Sequence, residues 1–194
     1  MFAFLTLVAA QAAPMSGYGG GLSTTGVPNH YPLKLPDAPS SFGYGYTTWD
    51  VHAVGRYLQY RNKTQRVGGR AQLGGGSGWM MAAADVGFDQ VLLPKGPTNV
   101  FAGVGAGGSH QRFTDTNGDV LKVNSVLARV DVGVIHRMDT WAIEGQVFAV
   151  LPWALSEQYG GQELSGGRYP QVGVEATVLV GDFKLKPKKN KKKK

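Results

Sequence analysis

Cysteine is absent from all 194 residues, which excludes a disulfide framework, a thiol nucleophile and a thiolate metal site. Nowhere do eighteen consecutive apolar residues occur, so no helical membrane span can be read from the sequence. Charge is scarce, at 17% of residues, and unevenly placed. The formal charge is +7, yet Lys184 to Lys194 (KLKPKKNKKKK) holds eight lysines and no acid, so the remainder carries −1. A foldable part that is not basic argues against nucleic-acid binding. Phosphate loops, zinc-ligand spacings and nucleophile elbows are also missing, so neither a catalytic set nor a cofactor is expected.

Alternation is what the sequence does have. In WAIEGQVFAVLPW, Trp141 to Trp153, the odd positions are uncharged and mostly apolar, and the even ones begin Ala142, Glu144, Gln146. Period two means a strand, with successive side chains on opposite faces. An extended strand separates the two tryptophans by roughly 40 Å, or about 30 Å along the membrane normal after a tilt of about 40°. That matches the hydrocarbon thickness of a bilayer, and tryptophan prefers the interface. Trp49, Trp141 and Trp153 are the expected interfacial aromatics. The same period predicts strands near 46–61, 65–73, 78–92, 99–113, 120–137, 140–153 and 168–184. Single-chain barrels take an even strand number, so an eighth strand is expected within 13–42.

The start, MFAFLTLVAAQAAPM, is a short apolar run ending in Ala10-Gln11-Ala12, a small-x-small site. It reads as a secretory signal peptide over 1–12; a buried N-terminal strand or helix is the plainer alternative. Residues 13–42, rich in Gly, Pro and Ser, read as an arm or linker with room for one strand. The barrel then covers 43–184, and 185–194 is a self-repelling lysine-rich tail.

Each strand pairs an uncharged face with one that carries isolated charges. The second set holds Asp50, Arg56, Arg66, Arg70, Asp85, Asp89, Arg129, Asp131, Glu144 and Glu175, four cations against six anions and no lysine. A soluble barrel would show many outward lysines and glutamates. Nearly balanced charges, with arginine as the only cation, suit a closed lumen in which each must find a partner. The fold class expected is therefore all-β, a closed antiparallel up-and-down transmembrane barrel of eight strands. The alternative is a soluble lipocalin-like barrel around a small apolar ligand.

Over residues 43–184 this pattern resembles the small bacterial outer-membrane barrels of the OmpA and opacity-protein type. VFAGVGAGGSHQRF and the last strand, ending GVEATVLVGDF, are closest in style. In such barrels a terminal strand closing on an aromatic resembles the signal read by the insertion machinery, here Phe183, although the chain continues to Lys194. The resemblance implies a bacterial outer-membrane location and a structural, anchoring or surface-interaction role. About eight strands leave an interior that side chains fill, so a narrow channel is the transport alternative.

Three weaker motifs compete with bland readings. Asp115, Asn117 and Asp119 hold the first three positions of a calcium loop, but Val120 and Val126 stand where glycine and glutamate are required. Asn117-Gly118 is instead a strong hairpin-turn signal. Ser109, His110 and Glu144 could suggest a lipid-A hydrolase, but adjacent strand residues point to opposite faces. His30, His52 and His136 read as satisfied polar or loop residues, and the glycines at 74–76 and 105–108 as close packing, turns or bulges. Outer-membrane lipid is the expected partner of the barrel wall. Those expected for the tail are anionic: phospholipid headgroups, cell-wall groups or an acidic periplasmic protein.

Overall fold

The computed structural model describes residues 15–26, 31–33, 42–44, 49–76, 79–114, 118–163 and 170–184. The expected signal peptide, His30 and the lysine-rich segment 185–194 lie outside these. Among the described residues eleven strands form, in chain order β1 (Ser16–Gly26), β2 (Tyr31–Leu33), β3 (Phe42–Tyr44), β4 (Trp49–Tyr60), β5 (Gln65–Gly76), β6 (Trp79–Val91), β7 (Thr98–Thr114), β8 (Val120–Arg137), β9 (Trp141–Tyr159), β10 (Gln162–Glu163) and β11 (Gln171–Asp182). Every pairing is antiparallel. Strands β1, β4, β5, β6, β7, β8, β9 and β11 follow one another around a ring that β1 closes against β11. β10 extends β9 as a short hairpin, and β2 and β3 form a separate ribbon. The result is a closed eight-stranded barrel, with the strands joined up and down.

The eighth strand is β1. It lies inside the segment read as an arm, so the barrel begins at Ser16 and not at residue 43. Its partners are β4 from Gly26↔Trp49 to Ser16↔Gln59, and β11 from Ser16↔Asp182 to Gly26↔Val172. Two strands outrun their expected ends. β5 continues through Gly76, and β9 runs six residues past Trp153 to Tyr159. The connection expected between the strands near 140–153 and 168–184 is therefore partly strand. A register shift opposite Asn124/Ser125 lets Leu155 bulge out, and this restores pairing with the phase inverted: Glu157 faces in where odd positions had faced out.

One end of the barrel carries the short connections 61–64, 92–97 and 138–140 together with both ends of the ring. There Tyr60 N–H donates to Met15 O at 2.8 Å, tying the start of β1 to β4, and Phe183 N–H donates to Asp139 O at 3.0 Å, tying the end of β11 to the turn before β9. The opposite end carries the longest connections, 27–48 and 160–170, together with the short 77–78 and 115–119. Strands β7, β8 and β9 have 17, 18 and 19 residues against 12 for β4 and β5, so this side of the barrel is taller.

Part of the inward phase of β1 and of β7 is bare. Gly17, Gly19 and Gly21 line one wall, and Gly103, Gly105 and Gly107 line another. A Cβ at Gly107 would press on the Ala84 carbonyl and stand 2.6 Å from the Asp85 Cα. The strands of a small coiled barrel approach too closely here for any side chain.

A salt-bridged lumen inside an apolar wall

The wall is apolar on every side. Tyr18 on β1, Val51 on β4, Leu73 on β5, Val86 on β6 and Val104 on β7 are all exposed. So are the alternating Val126, Val130, Val132 and Val134 of β8, and the belt continues through Val147 and Val178. Val86 is 70% exposed while Arg66 and Arg129 inside are 0% and 1%. A water-soluble monomer rarely shows a contiguous apolar patch above a few hundred Å²; here the patch encircles the molecule.

Inside, the short-turn end is floored by Leu58, Tyr60, Val91, Phe101, Ile135 and Phe183. Phe183 is fully buried and lies over Gly17, whose missing side chain makes room for its ring. Above the floor sits a closed ring of four charges. Arg66 donates from Nε to Asp89 at 2.7 Å and from Nη1 to Glu144 at 2.6 Å. Arg56 completes it with Glu144 at 3.0 Å and Asp89 at 3.6 Å.

A second cluster lies alongside. Arg70 reaches Asp85 at 2.8 Å and Glu175 at 3.0 Å, and Arg129 reaches Asp85 at 3.1 Å and Asp131 at 3.0 Å. Gln146 donates to the free oxygen of Glu175 at 2.8 Å. The clusters meet at Gly103, where a Cβ would strike the carboxylates of Asp89 and Asp131. Each arginine serves two acceptors, which its fork allows and an ammonium would not match. Taking these charges out of water is costly, and only this mutual pairing compensates.

Nine of the ten charges anticipated for the lumen are thus buried and joined in these two clusters; Asp50 lies outside the residues whose side chains are described. The alternation did not reveal the stacking beneath them. The Arg66 guanidinium lies 3.5 Å from the Phe101 ring centre, and that ring packs against Gly133. Arg70 lies 4.7 Å from Phe148, which packs against Gly173. Cation–π contact of this kind is worth more when desolvated. Two buried charges were also missed. Arg137 shares the odd phase of Arg129 and Asp131 and could have been counted; it donates to Gly96 O at 2.9 Å and lies over Tyr60. Glu157 is buried behind the β9 bulge, and the inverted phase hides it.

Towards the long-loop end neutral polar side chains also enter the lumen. Gln72 donates to Ser23 Oγ at 2.7 Å, and His52 Nδ1 lies 3.3 Å from Thr25 Oγ1. A cavity of about 10 Å³ lined by Arg70, Gln72, Met81, Ser109 and Phe148 has space for about one water. A lipocalin-like barrel would turn its apolar face inward around the ligand; here the polar and apolar faces are reversed.

The other candidate residues separate. Ser109 points into the lumen, His110 points out and contacts Asn124 at 2.8 Å, and Glu144 is held in the arginine ring, so the three do not converge. His136 contacts Thr98 at 2.8 Å on the outside. Asp119 is exposed beside Gly118, whose φ of +89° belongs to the turn; Asp115 and Asn117 lie outside the described residues. Among the described residues no cluster of metal-ligating side chains occurs. Trp141 is 38% exposed at the start of β9 and Trp153 is half-buried on the outer face, whereas the Trp49 side chain is not among those described.

An apolar wall around a charged, filled lumen is the architecture of the small outer-membrane β-barrels. Neither a protein family nor a curated protein matches the sequence. Solved structures do. Neisserial surface protein A superposes with a TM-score of 0.58 at 10% identity, covering 88% of this chain and 99% of that one. Ail, the attachment invasion locus protein of Yersinia pestis, superposes at 0.52 and 10% identity, covering 89% and 100%. At such identity the likeness is one of fold.

Proposed function

We propose that the chain is an integral barrel of a bacterial outer membrane with a structural, anchoring or surface-interaction role, and that it carries no large solute. The observation that carries this reading is the Arg56–Glu144–Arg66–Asp89 ring above an apolar floor. Together they occupy the cross-section of an eight-stranded lumen. The neighbours' names, a surface protein and an attachment protein, favour the long loops as the working face. In this orientation the short turns and both ends of the ring face the periplasm. The purified protein should require detergent and, in planar bilayers, give no stable conductance of porin size; a stable large conductance would overturn the filled-lumen reading.

The lysine-rich segment would leave from the short-turn end, where Lys184 is the last described residue. Its partners would be anionic lipid, cell wall or an acidic periplasmic protein, with about 1 kcal/mol per lysine near an anionic membrane surface, screened by salt. Deleting residues 186–194 should leave insertion and heat stability unchanged while weakening low-salt association with sacculi or anionic vesicles. Undiminished association of the truncated chain with both would remove the tail from this role.

A further inference from the structure

The outer wall changes character at one level of its taller side. Outward residues of β8 run Val134, Val132, Val130, Ala128, Val126 and then Asn124 and Lys122; on β7 the sequence is Val104, Ala106, Gly108, His110 and Arg112. The two transitions coincide, because His110 is the cross-strand partner of Asn124 and Arg112 that of Lys122. His110, Asn124 and Ser156 form a hydrogen-bonded row across three strands, at 2.8 Å for each contact. Immediately beyond it the exposed Arg112 and Lys122 stand side by side. Like charges directly opposite one another destabilise a sheet, and neither cation forms an ion pair with a described residue. Among the described residues the acids nearby are Glu163, beyond Gln158 on the same row, and Asp119 in the turn above.

Depth decides what such a pair can meet. From Val134 to Lys122 the strand rises roughly 40 Å, or about 30 Å along the normal after a tilt of about 40°. That span is the thickness of the hydrocarbon core. A cation pair pointing sideways at this level faces headgroups. We propose that Arg112 and Lys122 form a binding site for the phosphate of a lipid headgroup on the β7–β8 side of the barrel. A phosphate between them replaces repulsion with two charge-assisted contacts, one through the arginine fork. The His110–Asn124–Ser156 row bounds the site on the apolar side. The site rests on the membrane reading above.

The test uses the full chain and an Arg112→Gln/Lys122→Gln variant, both folded into phosphatidylcholine nanodiscs. Diphosphoryl lipid A, its dephosphorylated form and inorganic phosphate are the probes, with bound lipid counted by native mass spectrometry. At about fivefold per cation, the variant should hold diphosphoryl lipid A roughly 25-fold more weakly, while an Arg61→Gln/Lys63→Gln control at the other end behaves as the parent. The dephosphorylated lipid should bind parent and variant alike. Equal retention of diphosphoryl lipid A by parent and variant, or an equal loss in the control, overturns the site. Saturation by millimolar inorganic phosphate without lipid overturns the assignment to a headgroup. Insertion of parent and variant into phosphatidylcholine reports on the membrane reading separately.

Discussion

Replacing Arg66 with methionine is expected to destabilise the folded barrel by about 3–5 kcal/mol, the cost of leaving buried charge without its partner. Arg66 is fully buried, bonds Asp89 and Glu144 and stacks on Phe101. Without it Arg56 alone must serve both carboxylates, from 3.0 and 3.6 Å. Urea unfolding in lipid vesicles would measure the loss. Arg66→Lys should fall between parent and Arg66→Met, since it keeps the charge but not the fork or the stack. Adding Glu144→Gln to Arg66→Met should recover part of the loss, because removing both partners leaves less uncompensated charge. An Arg66→Met cost below about 1 kcal/mol, a value typical of solvent-exposed pairs, would mean that water enters the ring.

The second large effect falls on a residue with no side chain. Gly107→Val should cost at least the 1–3 kcal/mol of ordinary overpacking, because the added atoms meet the backbone of Ala84 and Asp85 and not a movable side-chain end. Strand β7 would have to part from β6, which a closed ring resists. Loss of the compact, heat-modifiable form on gel electrophoresis would report it. Gly55→Ala is the matched control: nothing lies within 4 Å of its added Cβ, and removing a strand glycine should be neutral or stabilising by a few tenths of a kcal/mol up to about 1 kcal/mol. Equal behaviour of the two variants would refute the steric account of the glycine-lined wall.

How far these features were legible depended on contrast between faces. In β8 valines alternate with Arg129 and Asp131, so strand, register phase and lumen charges all follow from the sequence. In β1, SGYGGGLSTTG, glycine occupies both phases and no contrast survives; only the even-number rule pointed to a strand there. The tall end of β9 was lost for a different reason. Leu155 bulges, the phase inverts, and Ser156 and Glu157 then read as loop. Pairing within the lumen was out of reach because it depends on which strands face each other across the barrel: Arg66 and Glu144 are 78 positions apart. The Phe101 and Phe148 stacks were hidden because an apolar residue in a polar phase looks like noise until the arginine above it is placed. The aromatic at Phe183 was legible as a strand end, yet its burial over Gly17 required the β1–β11 seam.

The central claim is that the apolar face of the strands meets lipid and the charged face does not. The absence of cysteine from the sequence allows a direct measurement. Single cysteines at Ser125, Val126, Ala128, Val130, Val132 and Val134 of β8, carrying an environment-sensitive fluorophore, can be read against quenchers attached to lipid chains at graded depth. The account predicts strong quenching at the even positions, deepest near Ala128, and little at Ser125. Even positions reached instead by aqueous iodide and silent to the lipid quenchers would contradict it.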